Sequence, residues 1–310
     1  MSGLTDRVDL FRGVVLGVAT GNALGLRAEG LTARQLADRF PGGVRDIPPE
    51  ERTLPWDDDL AQTVLLAEAI LEKERLDVED LAGRLLRWRR ENGRGIGFLT
   101  ANVIREIEGG TPASDAAFVV WHRYGRNAAG NGAIMRCAPI AMRWWSDPMI
   151  RLTEAIASAT VTHWDPRCVW STVAMVEILS ALVIGNANLP ALRTWLDDQG
   201  APAEVAEAIE AGNTRTLEDF ELDEEASMGY TMKALEVAVW SLSQDRDFEE
   251  VLIDVINAGG DTDTNGAVVG AVMGARTGSS GIPESWLENI PRADHLIRLA
   301  DRLFDASTTS

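Results

Sequence analysis

Five aspartates and one threonine, gathered in two short clusters, have the types and spacing to hold a metal ion. Asp57, Asp58 and Asp59 follow Pro55-Trp56, and Asp261, Asp263 and Thr264 belong to Gly259-Gly260-Asp261-Thr262-Asp263-Thr264. Each cluster opens a stretch with the apolar spacing of a helix. Taken alone, an Asp-x-Asp-Thr reads as a helix cap, its oxygens accepting from free backbone amides. Three adjacent aspartates repel one another more than a helix N-terminus relieves, so they call for either a cation or full solvation. If the clusters meet, they offer five carboxylates and a hydroxyl, hard donors without a nearby cysteine. Such a set suits Mg²⁺, Mn²⁺ or Ca²⁺ rather than zinc.

Other polar residues sit on glycine-rich turns. Glu29 follows the turn Gly21-Asn22-Ala23-Leu24-Gly25, where it is either an ordinary surface glutamate or a group held over a site. Gly93-Arg94-Gly95-Ile96-Gly97-Phe98-Leu99-Thr100 introduces a helix, and backbone amides of such a loop can cradle a diphosphate. No strand precedes it, so a Rossmann fingerprint is unsupported. Gly130-Asn131-Gly132-Ala133-Ile134-Met135-Arg136 repeats the pattern, with Asn131 suited to a ribose hydroxyl or to a cap and Arg136 to a buried carboxylate. Thr162-His163-Trp164-Asp165-Pro166 interrupts two helical stretches and leaves His163 available for chemistry.

The elements that must position these residues are helical. Spacing predicts helices over 6–23, 60–73, 78–90, 152–161, 167–184, 189–197, 203–211, 232–242, 248–256 and 293–303. Two more run to about 109 and from the Asp261 turn to about 278. In the first helix Leu10, Val14, Gly17, Val18 and Gly21 form the expected buried side, and in the Asp261 helix Gly266, Gly270 and Gly274 recur every fourth residue. Each glycine costs a helix about 0.5–1 kcal/mol relative to alanine, so the ridge implies close approach of a neighbouring helix. Residues 41–55 form a long loop that delivers the Asp57 cluster, and residues 189–225 are expected at the surface. Period-two alternation is missing. The expected class is all-α, a single compact multi-helix domain over 1–310.

A balance of 48 acidic against 29 basic residues, net −19, opposes general binding to nucleic acid or to an anionic membrane. The basic stretch 84–94 is either a phosphate contact or a solvated helix face. Cys137 and Cys168 lie in apolar settings and read as reduced core residues of a cytoplasmic protein. No export signal is convincing, because Asp6 and Asp9 precede the apolar stretch 13–26 and Asn22 interrupts it, and Glu177 breaks the most apolar run.

Taken together, the Gly21–Gly25 turn with Glu29, the Asp57 cluster, the Gly130 to Arg136 segment, Thr162-His163, the Asp261 cluster, Ile282-Pro283 and Trp286 resemble the ADP-ribosylglycohydrolase family, typified by dinitrogenase reductase-activating glycohydrolase. The resemblance implies an all-α fold around two divalent cations, Mg²⁺ or Mn²⁺ with Ca²⁺ admissible. It also implies release of ADP-ribose from a modified protein or small molecule, by attack of an oriented water on the anomeric carbon. Carried over, the ligands are Asp57, Asp58, Asp59, Asp261, Asp263 and Thr264. Glu29 matches the glutamate near the scissile bond, and Gly95, Ile96, Gly97 and Thr100 fall at the phosphates and distal ribose. Asn131, Gly132 and His163 line the cleft, and Tyr230 lies toward the adenine. A monomer is expected.

Three departures from that pattern matter. The family's Thr-Asp-Asp-Thr is here Asp57, Asp58, Asp59 and Leu60, whose added carboxylate favours a larger ion; Asn22 replaces an aspartate of the turn; and no aspartate stands between Arg94 and Gly97, as arginine-directed members have. These changes keep a second expectation open, a non-catalytic ADP-ribose binder or structural paralogue. A phosphatase of the haloacid dehalogenase type is disfavoured because no lysine follows Asp263.

Overall fold

Helices fill the chain because apolar residues recur at helical spacing and turn residues punctuate them. The computed structural model describes residues 2–308, so residues 1, 309 and 310 of the expected domain lie outside it. In order, the helices are α1 (Ser2–Gly25), α2 (Ala33–Arg39), α3 (Asp58–Lys73), α4 (Val78–Glu91), α5 (Phe98–Glu108), α6 (Ala113–Arg123), α7 (Ala138–Arg143) and α8 (Pro148–Thr160). There follow α9 (Pro166–Ile184), α10 (Leu189–Asp198), α11 (Ala203–Thr214), α12 (Thr231–Leu242), α13 (Phe248–Asn257), α14 (Thr262–Thr277), α15 (Glu284–Leu287) and α16 (Ala293–Thr308). Among the described residues there is no strand, only the isolated bridges Thr32 to Gly259 and Gly130 to Tyr230. The all-α class is observed.

Caps set many of the boundaries. Asp77 accepts from the amides of Glu79 and Asp80 to start α4, and Thr32 with Gln35 forms a capping box on α2. Proline lies in the first turn of α8, α9 and α10, where its missing N–H is harmless. Gly185, in the left-handed conformation, ends α9.

The centre of the molecule is the pair α1 and α14. A Cβ placed on Gly17 would come 2.0 Å from the Gly270 carbonyl oxygen, one on Gly21 1.8 Å from that of Gly266, and one on Gly13 2.3 Å from that of Gly274. The two helices therefore touch backbone to backbone along their length, which accounts for both glycine ridges. Helix α9 is long and apolar enough to cross a membrane by length and composition, and 67% of that stretch is buried inside the molecule. It packs against α7, α8, α12 and α14.

Some elements differ from expectation. Helices α2 and α6 add to those expected, α2 burying only Leu36 and α6 burying Ala113, Ala116, Ala117 and Val120 at helical intervals, and α1 begins earlier than residue 6. Leu10 is only partly buried. Helix α11, expected at the surface, buries Val205, Ala208 and Ile209 against its neighbours, and Gly212 lets the backbone of α12 approach. In the basic stretch Arg84 is buried and pairs with Glu72 and Asp80, Arg89 and Arg90 pair with Glu108, and Arg87 and Arg90 lie on an exposed face.

The loop delivering Asp57 is held by side chains from the far end of the chain. Asn257 bonds both the N–H and the carbonyl of Val44, Trp286 donates to the Arg45 carbonyl, Asn289 to that of Ile47, and Trp56 to that of Pro291. A loop whose only regular structure is the short 3-10 turn Pro49–Thr53 thereby presents a fixed end to the site.

Candidate metal centre and cleft

The N-termini of α3 and α14 converge. Asp57 and Asp261 stand at their N-cap positions, yet neither side chain caps its helix. Asp263 and Thr264, read from the sequence as possible caps, lie inside the first turn of α14 rather than at its cap. One carboxylate oxygen from each of Asp57, Asp59 and Asp263 lies within 4.8 Å of the others, and all three residues are buried. Oδ1 of Asp59 and Oδ1 of Asp263 are shut off from solvent and accept no hydrogen bond. A buried carboxylate oxygen without a donor is costly. A divalent cation among hard oxygen donors would satisfy both, so these residues fit such an ion.

Electrostatics agree. Burial, then the charges of Asp58, Asp57 and Asp261, hold the Asp59 carboxyl well above the usual range, with the Thr264 hydroxyl opposing. Burial, then Asp261, Asp59 and Glu29, does the same to Asp263. Asp58 is raised by burial and by Asp57 and Asp261, and the Gly97 amide opposes. Asp57 is raised by burial while Arg94 pulls it back.

Two neighbours manage these charges. Arg94 lies 3.6 Å from Asp57 and also holds Glu51 and the Pro55 carbonyl, so a guanidinium offsets the added carboxylate. Asn22 donates to Oδ2 of Asp57 at 3.5 Å and of Asp59 at 3.3 Å. An aspartate at position 22 could not donate there. The amide of Asn22, which stands where the family turn has an aspartate, thus serves the cluster. Leu60, the other departure, is buried in the core.

A cleft of about 370 Å³ opens over the cluster, lined by Glu29, Asp58, Gly95, Gly97, Thr100, Asn131, Gly132, His163, Asp261, Asp263 and Thr264 among others. Backbone pairing assembles it. Gly30 donates to the Gly260 carbonyl and Gly260 to that of Leu31, seating the Glu29 turn on the Asp261 turn. Asn131 donates from its backbone to the Gly229 carbonyl, and Thr231 to that of Ala129. Gly95, at φ +75°, lies so close to Asp57 that a Cβ there would meet Oδ1 at 2.5 Å. Only glycine combines that backbone with that gap.

Glu29 is exposed to the cleft and makes no hydrogen bond among the described residues; desolvation, then Asp57 and Asp261, raises its carboxyl, and Arg94 lowers it. Asn131 uses its amide on Oδ2 of Asp261 at 2.7 Å, so it is a tether between the two walls, not a cap. Thr100 and His163 are buried at the cleft wall.

Asp57 and Asp59 lie beneath the cleft rather than on its surface. The Ile96 side chain packs on the hydrophobic core, leaving only its backbone to the loop. Tyr230 lines an adjoining cavity of about 630 Å³ that shares Phe98, Leu99, Gly130 and Gly229 with the cleft, and its ring carries the Arg167 guanidinium at 5.8 Å. Arg136 bonds no carboxylate, contrary to the pairing expected from its burial. Sequence reasoning missed Gln62 and Phe98. Gln62 lies one helical turn after Asp58, a spacing that could have flagged it. A separate cavity of about 540 Å³ lies behind the Asp57 loop beside Trp56, Trp88 and His295, and none of the clustered aspartates lines it.

Comparison with known proteins agrees with this geometry. A family described as ADP-ribosylglycohydrolase matches residues 4–310. The chain is 34% identical to an uncharacterized protein of Archaeoglobus fulgidus, covering 95% of this chain and 96% of that one. It is 28% identical to the ADP-ribosylarginine hydrolase Tri1 of Serratia proteamaculans, over 97% of this chain and 80% of the relative. A solved structure, an ADP-ribosylglycohydrolase-related protein complex, superposes with a TM-score of 0.78 at 30% identity, covering 98% of this chain and 99% of the other.

Proposed function

The chain belongs to the ADP-ribosylglycohydrolase family, and from that premise we propose that it hydrolyses the N- or O-glycosidic bond of an ADP-ribosylated protein or related conjugate, releasing ADP-ribose. The observation that carries the reading is the buried cluster with two unsatisfied carboxylate oxygens, on Asp59 and Asp263, at the floor of a cleft walled by glycine loops. A cleft of about 370 Å³ falls in the range of small-molecule sites, roughly 300–1,000 Å³, and continues into the adjoining cavity.

Asp57, Asp58, Asp59, Asp261, Asp263 and Thr264 are the residues that would hold two divalent ions, Mg²⁺, Mn²⁺ or Ca²⁺. Bound there, the ions supply Lewis-acid polarisation and a positive template for ribose hydroxyls and water. The backbone of Gly95, Ile96 and Gly97 offers amides to the diphosphate, and Thr100 a hydroxyl. Asn131 keeps Asp261 against the opposite wall. Glu29, free of internal hydrogen bonds and with its carboxyl raised by desolvation, is the group we assign to proton transfer as the glycosidic bond breaks.

Titrating metal-stripped protein with Mg²⁺, Mn²⁺ and Ca²⁺, with and without ADP-ribose, tests the reading. Mutual enhancement of ion and ADP-ribose binding, lost in Asp261→Ala, is expected, and absence of both would sink it. Glu29→Gln should cut turnover of ADP-ribosylated substrate by about 10²–10⁴-fold with the ions still bound. Undiminished turnover would remove Glu29 from its role. Tight ADP-ribose binding by the unaltered protein without hydrolysis of any conjugate would favour the non-catalytic binder instead.

A further inference from the structure

Arg136 is fully buried, and every partner it has is neutral. Its Nη1 donates to Oε1 of Gln62 at 2.8 Å and to the Gly132 carbonyl at 2.9 Å; Nη2 donates to the Ser158 carbonyl at 2.9 Å and to Oγ1 of Thr162 at 2.6 Å. Nε has no partner. Desolvation pulls the guanidinium down to about 10, which leaves it charged at neutral pH. A buried cation held only by neutral acceptors is costly, so a return elsewhere in the molecule is expected.

Two arms leave this centre. Because Arg136 takes Oε1 of Gln62, the Gln62 amide nitrogen is turned toward Asp58 and donates to its Oδ2 at 3.3 Å. The reverse orientation would set NH₂ against the guanidinium and an oxygen against the carboxylate. In the second arm, Oγ1 of Thr162 accepts from Arg136 and lies 2.8 Å from Nδ1 of His163. The hydroxyl has one hydrogen to place and Nδ1 is its only acceptor among the described residues, so it gives that hydrogen to Nδ1. The ring proton must then sit on Nε2. That nitrogen adjoins the glycine wall of the cleft: a Cβ on Gly132 would come 3.1 Å from it, and one on Gly130 3.5 Å.

We infer that Arg136 is a positioning residue that sets two cleft groups at once, orienting Asp58 through Gln62 and fixing His163 through Thr162 as a neutral Nε2–H donor to an oxygen of the bound ligand. The choice of ADP-ribose as that ligand rests on the function proposed above; the proton arrangement does not. Burial and the Arg136 charge hold His163 down to about 3, so the ring stays a neutral donor through the physiological range.

The chain has three histidines, so ¹⁵N-histidine labelling resolves each ring, and long-range ¹H–¹⁵N correlations read the tautomer. His163 is expected as the single Nε2–H form. Thr162→Val, which keeps the shape and removes the hydroxyl, should release that preference and weaken ADP-ribose binding about tenfold, with divalent-ion affinity unchanged within about twofold. Thr162→Ser should restore both readings. Gln62→Met should weaken divalent-ion binding and leave the His163 tautomer as it was. An Nδ1–H tautomer in the unaltered protein, or a tautomer insensitive to Thr162→Val, would overturn the inference. If the tautomer responds as expected while no form binds ADP-ribose, the positioning role stands and the proposed function falls.

Discussion

Oδ1 of Asp59 and Oδ1 of Asp263 are buried without a donor, and the four carboxyls Asp57, Asp58, Asp59 and Asp263 are all raised. A raised folded pKa adds stability below the unfolded value, here 3.8, and that stability is lost as pH rises through the folded values. The metal-free protein is therefore strained at neutral pH by its own site. Removing one charge should relieve it: metal-stripped Asp263→Asn is expected to be about 1–3 kcal/mol more stable than metal-stripped native protein, and to lose any gain from added ion. Paired denaturant titrations check both signs. Protons also compete with ions for these oxygens, so the rise in melting temperature on adding Mn²⁺ should be larger at about pH 7.5 than at about pH 5.5. His163 works the other way, its lowered pKa removing stability as pH falls from 6.5 toward about 3, but it titrates with or without the ion and cancels in that difference. At this scale the aspartates could be read in the sequence, since clustered like charges need an explanation wherever they fold, whereas the expected turn at Gly21–Gly25 is the last turn of α1. The roles of Asn22, Gln62 and Arg136 could not, because an amide or guanidinium acts through the direction it faces, which only tertiary packing fixes.

For α1 and α14, the ridge of small residues was legible as a demand for a partner, and the partner's identity was not. Periodicity records how a helix is buried on one side; it says nothing about which other helix lies there. The same limit misplaced α11, whose alanines bury in spite of an acidic setting, while α2, seven residues with one buried side chain, is too short to show a period. The glycines of the pair are not interchangeable with others. Gly270→Ala drives a Cβ to 2.0 Å from the Gly17 oxygen, so the helices must separate, and the expected loss is about 3 kcal/mol. Gly83→Ala in α4 meets nothing nearer than the Arg87 side chain at 3.6 Å, and should instead stabilise by about 0.5–1 kcal/mol. Thermal unfolding of the two variants side by side decides whether backbone contact or helix propensity governs each position.

Across the whole molecule, one hydrophobic core runs from Phe11 in α1 to Leu303 in α16, and the loop that carries Asp57 is pinned by Asn257, Trp286 and Asn289 from the distant end of the chain. A net charge of −19 concentrates part of its repulsion at the cluster, so the site works against the fold until a cation or a proton relieves it. The all-α class was readable at this scale because alternation is missing everywhere; the joining of both ends at one centre was not. That joining has a consequence for how the protein is made. Asp57, Asp58 and Asp59 leave the ribosome some two hundred residues before Asp261, Asp263 and Thr264, and for all that time they have no counterpart. A nascent chain thus cannot trap a cation early, and ion capture becomes a late event of synthesis. Ribosome-bound chains of graded length should begin to retain Mn²⁺ only after α14 has cleared the exit tunnel.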